Sequence, residues 1–437
     1  MLDMWLSQVR DRQQAQDGAG LAALLSPRPD SNSLSLLRQS ILNTPSLRPA
    51  TYTSLTRSHF ADYRPFADFL AAFLLYVRDA DLGTSADALD KTYSLLEDCF
   101  KNADRVFAQG ETGWFVPTLR KLTRRLVDVA IKVGRARGDP KLTRAGEAAR
   151  MLGRPMGIAA SDRTGESPCK RDALFFLANA TFRVYFALSN LRLCDTVLNN
   201  TQNSAAQLDA YPKADRCAFL YYRGRIALYQ RRLPQARNDL RRSFELCNAG
   251  SWKNGRLILS YLIAASLPLG SFPSEALLQH FNLHTQYSNL LSALKRGDFR
   301  TVLSHLDAHQ PFHLAHGTYL LLREKLETLC WRNLARRVLF ILTNGNPVPP
   351  TGPPTLSLHA LLAAARLLFP DGDTLDVDDV EAMCASLLEQ GYLKAYILHS
   401  KRLLVLQKGP MAGFPPVASV NAVGGGGANG AAAGRGR

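Results

Sequence analysis

The chain has no Cys-x-x-Cys pair, no Gly-x-Ser-x-Gly elbow, no Gly-x-x-x-x-Gly-Lys-Ser/Thr loop and no His-Glu-x-x-His helix. Each absence removes a chemistry. The first speaks against a thiolate zinc site, the second against an elbow-type serine hydrolase, the third against a phosphate-loop nucleotidase and the fourth against a zinc protease. The seven cysteines, at 99, 169, 194, 217, 247, 330 and 384, never come closer than 23 residues. That odd, scattered set suits a reducing compartment. The glycine run near Gly424 has no strand and helix around it, so it reads as low-complexity tail. The longest apolar run, Phe69 to Val77, is far shorter than a membrane span needs. At the N-terminus an acid, Asp3, stands where a secretory signal needs a basic flank. An intracellular, soluble, non-catalytic protein is expected, with no membrane insertion, cofactor or metal.

Histidines offer the one apparent exception. His280 and His284 are spaced to share a helix face, and His305, His309, His313 and His316 follow. Pro311 interrupts the second series, and no Cys or carboxylate is spaced to complete a metal shell. Structural histidines are therefore expected.

Acids are also scarce relative to bases: 37 against 53 Lys and Arg, a formal net of +16. The excess is concentrated. Between Arg120 and Arg154 there are eleven bases against Asp128, Asp139 and Glu147, and between Arg223 and Arg242 seven against Asp239 alone. Such clusters attract nucleic-acid phosphates through counterion release, and acidic proteins equally well.

Helical periodicity dominates the rest. Leu2 to about Gln16 is amphipathic, and a Pro/Ser-punctuated stretch opens at Ser26. Pro65 to Tyr76 is apolar nearly all round, which predicts a buried helix. Ala86–Phe107 and Trp114–Arg135 predict long amphipathic helices, and Gly153–Pro168 a loop. A weak pattern recurs at Leu191–Leu198, Leu233–Leu240 and Phe299–Leu306: a large residue, a small or β-branched one (Cys194, Ala236, Val302), then Leu. Gly224 lies twelve residues before Ala236, as in a tetratricopeptide hairpin. The irregular spacing marks a degenerate helical-repeat array. Near the C-terminal end, Asp376–Gln390 reads as an acidic helix stopped by Gly391, with strands from Tyr392 to Leu398 and from Leu403 to Gln407. Helix, helix, hairpin is the outline of a winged helix.

Cys217–Ala227, Ser251–Leu262, Leu326–Leu334, Asp376–Glu381 and Gly391–His399 carry a resemblance. Together they resemble the PCI-domain family. The nearest branch holds the PCI subunit of the nuclear-pore transcription-and-export complex and the signalosome subunit 12 homologues. The likeness is strong from about Arg171 to Gln407, continues more weakly towards the N-terminus, and fails after Val420. It implies an all-α fold, a tetratricopeptide-like array closed by a C-terminal winged helix. Residues 1–168 form an N-terminal helical region, 169–343 the repeats, 344–408 the winged helix and 409–437 a disordered Gly/Ala/Arg tail.

The resemblance further implies a scaffold in messenger-RNA export at the nuclear pore, located in the nucleus with a cytoplasmic pool also open. The implied partners are a larger helical scaffold subunit, a small acidic protein shared with the proteasome lid, and RNA and DNA bound without sequence preference. Carried onto this chain, the nucleic-acid surface is Lys394, His399, Lys401, Arg402 and Lys408, with Lys253 and Arg256 matching a second basic patch. Arg223, Arg225, Arg231 and Arg232 are assigned to the acidic partner. Six acids (Asp371, Asp373, Asp376, Asp378, Asp379, Glu381) lead into the last helix and find a reason in its dipole; the hairpin bases have no local one. A signalosome-associated subunit with protein contacts only, and a tetratricopeptide-like peptide receptor, remain the alternatives.

Overall fold

The computed structural model describes residues 2–27, 32–43, 49–81, 83–164, 167–346, 352–369 and 374–423. Its elements are almost all helical, and they fall into two compact units, Met1–Tyr222 and Arg223–Arg437.

The first unit contains α1 (Leu2–Gln14), α2 (Gly18–Leu24), α3 (Asn32–Leu42), α4 (Pro49–His59), α5 (Arg64–Asp79), α6 (Ala86–Ala108), α7 (Val116–Ala136), α8 (Thr143–Ser161), α9 (Leu174–Ala187) and α10 (Leu193–Gln202). The buried helix expected at Pro65–Tyr76 is α5. Its Phe66, Phe69 and Phe73 are fully buried. Phe69 meets Phe115 edge-on at 5.3 Å, the geometry that the ring quadrupole favours. The Pro/Ser-punctuated stretch after Ser26 holds α3 and α4. The loop expected from Gly153 is a correction: α8 runs through it to Ser161, with Pro155 inside the helix. Ala148, Leu152, Pro155, Met156 and Ala159 form one buried stripe. Proline costs a helix interior about 3 kcal/mol, and burying such a stripe offsets a cost of that order.

Helix α11 (Lys213–Tyr229) contains the boundary between the units. The second unit continues with α12 (Leu233–Leu246), α13 (Trp252–Ser266), α14 (Glu275–His280), α15 (His284–Arg296), α16 (Phe299–Ala308), α17 (Gln310–Ala315) and α18 (Tyr319–Leu342). The three pattern copies fall on α10, α12 and α16, and Cys194, Ala236 and Val302 are all fully buried. Gly224 lets α11 approach α12 closely. A Cβ there would stand 2.7 Å from Leu240 Cγ.

The winged helix is built from β1 (Thr355–Ser357), α19 (Leu358–Leu368), α20 (Val377–Glu389), β2 (Ala395–Leu398) and β3 (Leu403–Leu406). The sheet is antiparallel in the order β1-β3-β2, with Leu404 opposite both Leu356 and Ile397. Its inner face joins a core with Leu334, Leu361, Val380 and Leu387. Trp331 of α18 stacks on Phe369 at 4.1 Å. Gly391 ends α20 at φ +76°, a conformation that costs glycine nothing.

Residues 409–423, expected to be disordered, are folded. Phe414 is buried, Arg332 donates to the Pro415 carbonyl at 2.7 Å, and α21 (Val417–Val423) follows. One buried aromatic ring among Pro and Gly anchors the segment, which composition alone does not reveal. The tail after Val423, with Asp371 and Asp373, lies outside the described residues.

Candidate nucleic-acid interface

Helix α20 begins with a reciprocal cap. Asp376 accepts the Asp379 N–H at 2.8 Å, and Asp379 accepts the Asp376 N–H at 2.9 Å. Two of the acids therefore serve the helix start, as its orphan amides require. The next two do something the sequence did not disclose. Arg402 donates to Asp378 at 2.5 Å and to Glu381 at 2.8 Å, and His399 Nδ1 lies 2.8 Å from the other Glu381 oxygen. The hairpin turn is thus tied to α20, and two of its bases have a structural reason after all. The His399 hydrogen bond, with Arg402 beside it, holds the Glu381 carboxyl below its ordinary value. Local charge counting misses this because the partners are 18 to 24 residues apart.

Lys394, Lys401 and Lys408 are exposed, and among the described residues none has a carboxylate partner. Lys394 continues the sheet edge: its N–H donates to Gly413 and its carbonyl accepts from Gln407, at 2.7 and 2.8 Å. Strand alternation puts Lys394 and Tyr396 on one face. Tyr396, opposite Val405 in the register, is 59% exposed. Sequence reading passed over this tyrosine. Its signal was the alternation Lys-Ala-Tyr, which sets a cation beside a ring that a base can stack on.

The remaining residues are distributed. Lys253 is exposed at the start of α13. Arg256, one turn on, donates to the carbonyls of Phe281 and Asn282 at 3.0 and 3.4 Å, and Trp252 donates to His280 at 3.0 Å. Both side chains satisfy carbonyls at the end of α14. Of the four arginines assigned to an acidic partner, Arg223 grips buried Asp239 through two hydrogen bonds of 2.8 and 2.6 Å. Arg225 lies 4.5 Å over the Tyr261 ring, Arg231 is 3.1 Å from Glu324, and Arg232 donates to Gln230. Each is held by a different group.

His280 closes α14 and His284 opens α15, so the two do not share a helix face as their spacing suggested. His305 and His309 lie with ring centroids 4.4 Å apart. His313 is fully buried, and that burial pushes its pKa down to about 4. Among the described residues no group of three or more His, Cys, Asp or Glu is placed to hold a metal ion. None of their helices is long and apolar enough to cross a membrane.

No family model matches the chain. Individual relatives do. It is 31% identical over 378 residues to a PCI domain-containing protein of Schizosaccharomyces pombe, covering 83% of each chain. It is 29% identical over 366 residues to PCI domain-containing protein 2 of Xenopus laevis, covering 82% of this chain and 86% of the relative. Enhanced ethylene response protein 5 of Arabidopsis thaliana is 29% identical over 320 residues, 71% of this chain and 73% of the relative. Together with the helical array and its winged-helix end, these likenesses make the chain a member of the PCI-domain family.

Proposed function

We propose that this PCI protein is a non-catalytic scaffold subunit of a transcription-coupled messenger-RNA export complex at the nuclear pore. It holds RNA or DNA, without reading sequence, on the outer face of its winged helix. The observation that carries the reading is the exposure of Lys394, Lys401 and Lys408, without carboxylate partners among the described residues, with Lys394 on the strand face that carries the exposed ring of Tyr396. Lysines in such a set contact phosphates, and an aromatic ring stacks on a base. Arg402 and His399 shape the turn that presents Lys401. Export membership rests on the likeness of Cys217–Ala227 and Gly391–His399 to that branch of the family. The partners in this reading are a larger helical scaffold subunit and a small acidic protein, and the location is the nucleus.

Affinity purification of the tagged chain from nuclear extract tests membership. Recovery of the larger scaffold, the acidic protein and export factors is the expected result. Recovery of signalosome subunits in their place overturns it.

A further inference from the structure

The basic run from Arg120 to Arg154 divides in two in the structure. Three arginines of its second half are paired with acids: Arg144 and Arg137 reach Asp90 at 2.8 and 3.2 Å, and Arg154 reaches Asp104 at 2.9 Å. In its first half, among the described residues, only Arg120 is. Arg120, Lys121, Arg124 and Arg125 lie on one face of α7 and line an open cleft of about 1190 Å³ within the first unit, where Arg171 joins them. Arg120 is paired with Asp215 at 2.7 Å. Lys121 and Arg171 donate to the carbonyls of Ala22 and Thr164, at 2.7 and 2.8 Å, which leaves their charge in place. Arg124 is exposed, and the Nε–H of Arg125 is shut off from water with no acceptor among the described residues.

The two acids of the lining offset this only in part, since Asp172 keeps its charge. Asp128 is committed to Arg183 at 2.5 Å. Asp172 accepts the Cys169 N–H and the Ser167 hydroxyl, at 3.1 and 2.7 Å. Among the described residues, Lys121, Arg124, Arg125 and Arg171 therefore line one concavity without a carboxylate partner, and the Arg125 Nε–H lacks the acceptor such groups almost always have.

We propose that this cleft is a docking site for a phosphorylated peptide segment. Three observations select that ligand. Positions 121, 124 and 125 span only about 6 Å along the helix, so their side chains leave α7 on the one face that lines the cleft. A phosphoserine or phosphothreonine brings close to two negative charges and three acceptor oxygens to one point, which a single carboxylate does not. The walls are aliphatic: Pro27, Pro117, Pro168, Ala205, Ala206 and Pro212. They suit the side chains and backbone flanking a phosphoresidue. Among the described residues Tyr211 is the one aromatic in the lining, and it packs edge-on against Phe175 at 4.5 Å and donates to the Arg171 carbonyl. That leaves no stacking platform of the kind single-stranded nucleic acid uses. The volume also exceeds the range of about 300–1,000 Å³ typical of small-molecule pockets.

The test is a degenerate phosphoserine/phosphothreonine peptide library passed over the immobilised full chain. Controls are the unphosphorylated library, a Glu-substituted library and a single-stranded RNA. Retention of the phosphorylated library over both peptide controls is expected. Loss of about tenfold in affinity is expected for Lys121→Glu/Arg124→Glu, both exposed, and for Arg125→Gln, the size of one or two charge-assisted hydrogen bonds. Thermal melts check folding, and the exposed-lip variant stands if Arg125→Gln unfolds. Reversal of Lys394, Lys401 and Lys408 leaves retention unchanged. Absence of retention, equal retention of the Glu library, indifference to the α7 variants, or RNA displacing peptide through the α7 residues each overturns the proposal.

Discussion

Arg402 sits in the left-handed region at φ +53° while its guanidinium reaches Glu381 at 2.8 Å. One arginine thus closes the hairpin turn and fastens it to the start of α20. A non-glycine residue pays for that backbone conformation, and the two carboxylates of α20 offset the cost.

Glu381→Gln tests the electrostatic consequence. Removing the carboxylate frees His399, leaves Arg402 held by Asp378 alone, and takes one negative charge from behind the turn. Single-stranded RNA is expected to bind about threefold more tightly at low salt and to lose that gain as salt rises. Fluorescence anisotropy across a salt series reads it, and unchanged affinity would mean that the turn does not face the ligand.

The Arg223–Asp239 pair bears on stability instead. Arg223→Ala leaves a carboxylate buried without its bidentate partner, which costs about 3–5 kcal/mol. Arg223→Met with Asp239→Leu is expected to recover most of that loss, since an apolar pair needs no counter-charge. Urea unfolding of the wild type and the variants decides. A near-neutral Arg223→Ala would refute the structural role.

Gly224→Ala places a methyl against Leu240 at the closest approach of α11 and α12. Overpacking of this kind costs about 1–3 kcal/mol. A melting temperature equal to the wild type would show that the two helices are free to part.

His313 gives the protein a pH dependence. Burial lowers its pKa from 6.5 to about 4 and acts in the same direction on His305 and His316. The folded state therefore binds fewer protons than the unfolded one between those values. The stability is fully present above about pH 6.5 and is lost progressively down to about pH 4, by roughly 3 kcal/mol for His313 alone. His313→Gln is expected to flatten the urea midpoint between pH 7 and 5; an equal slope in both proteins would contradict this.

Much of the fold was legible because the helices are long and strongly periodic, and because Gly391 marks the end of α20. Strand β1 was not, since three residues carry too little alternation and its partner β3 lies almost fifty residues on. The continuation of α8 past Pro155 was hidden because local propensity yields to a buried stripe. At the candidate site, Lys394, Lys401 and Lys408 were readable as bases, but which bases are already spent was not. Arg402 with Glu381 and Arg223 with Asp239 meet only through the fold.

The most direct measurement is the slope of log affinity against log salt for a single-stranded RNA, compared between the wild type and Lys394→Gln/Lys401→Gln/Lys408→Gln. If the winged-helix face carries the phosphates, the slope becomes shallower by about 2, roughly 0.7 for each lost contact. An unchanged slope with unchanged affinity would place nucleic-acid binding elsewhere and contradict the winged-helix interface.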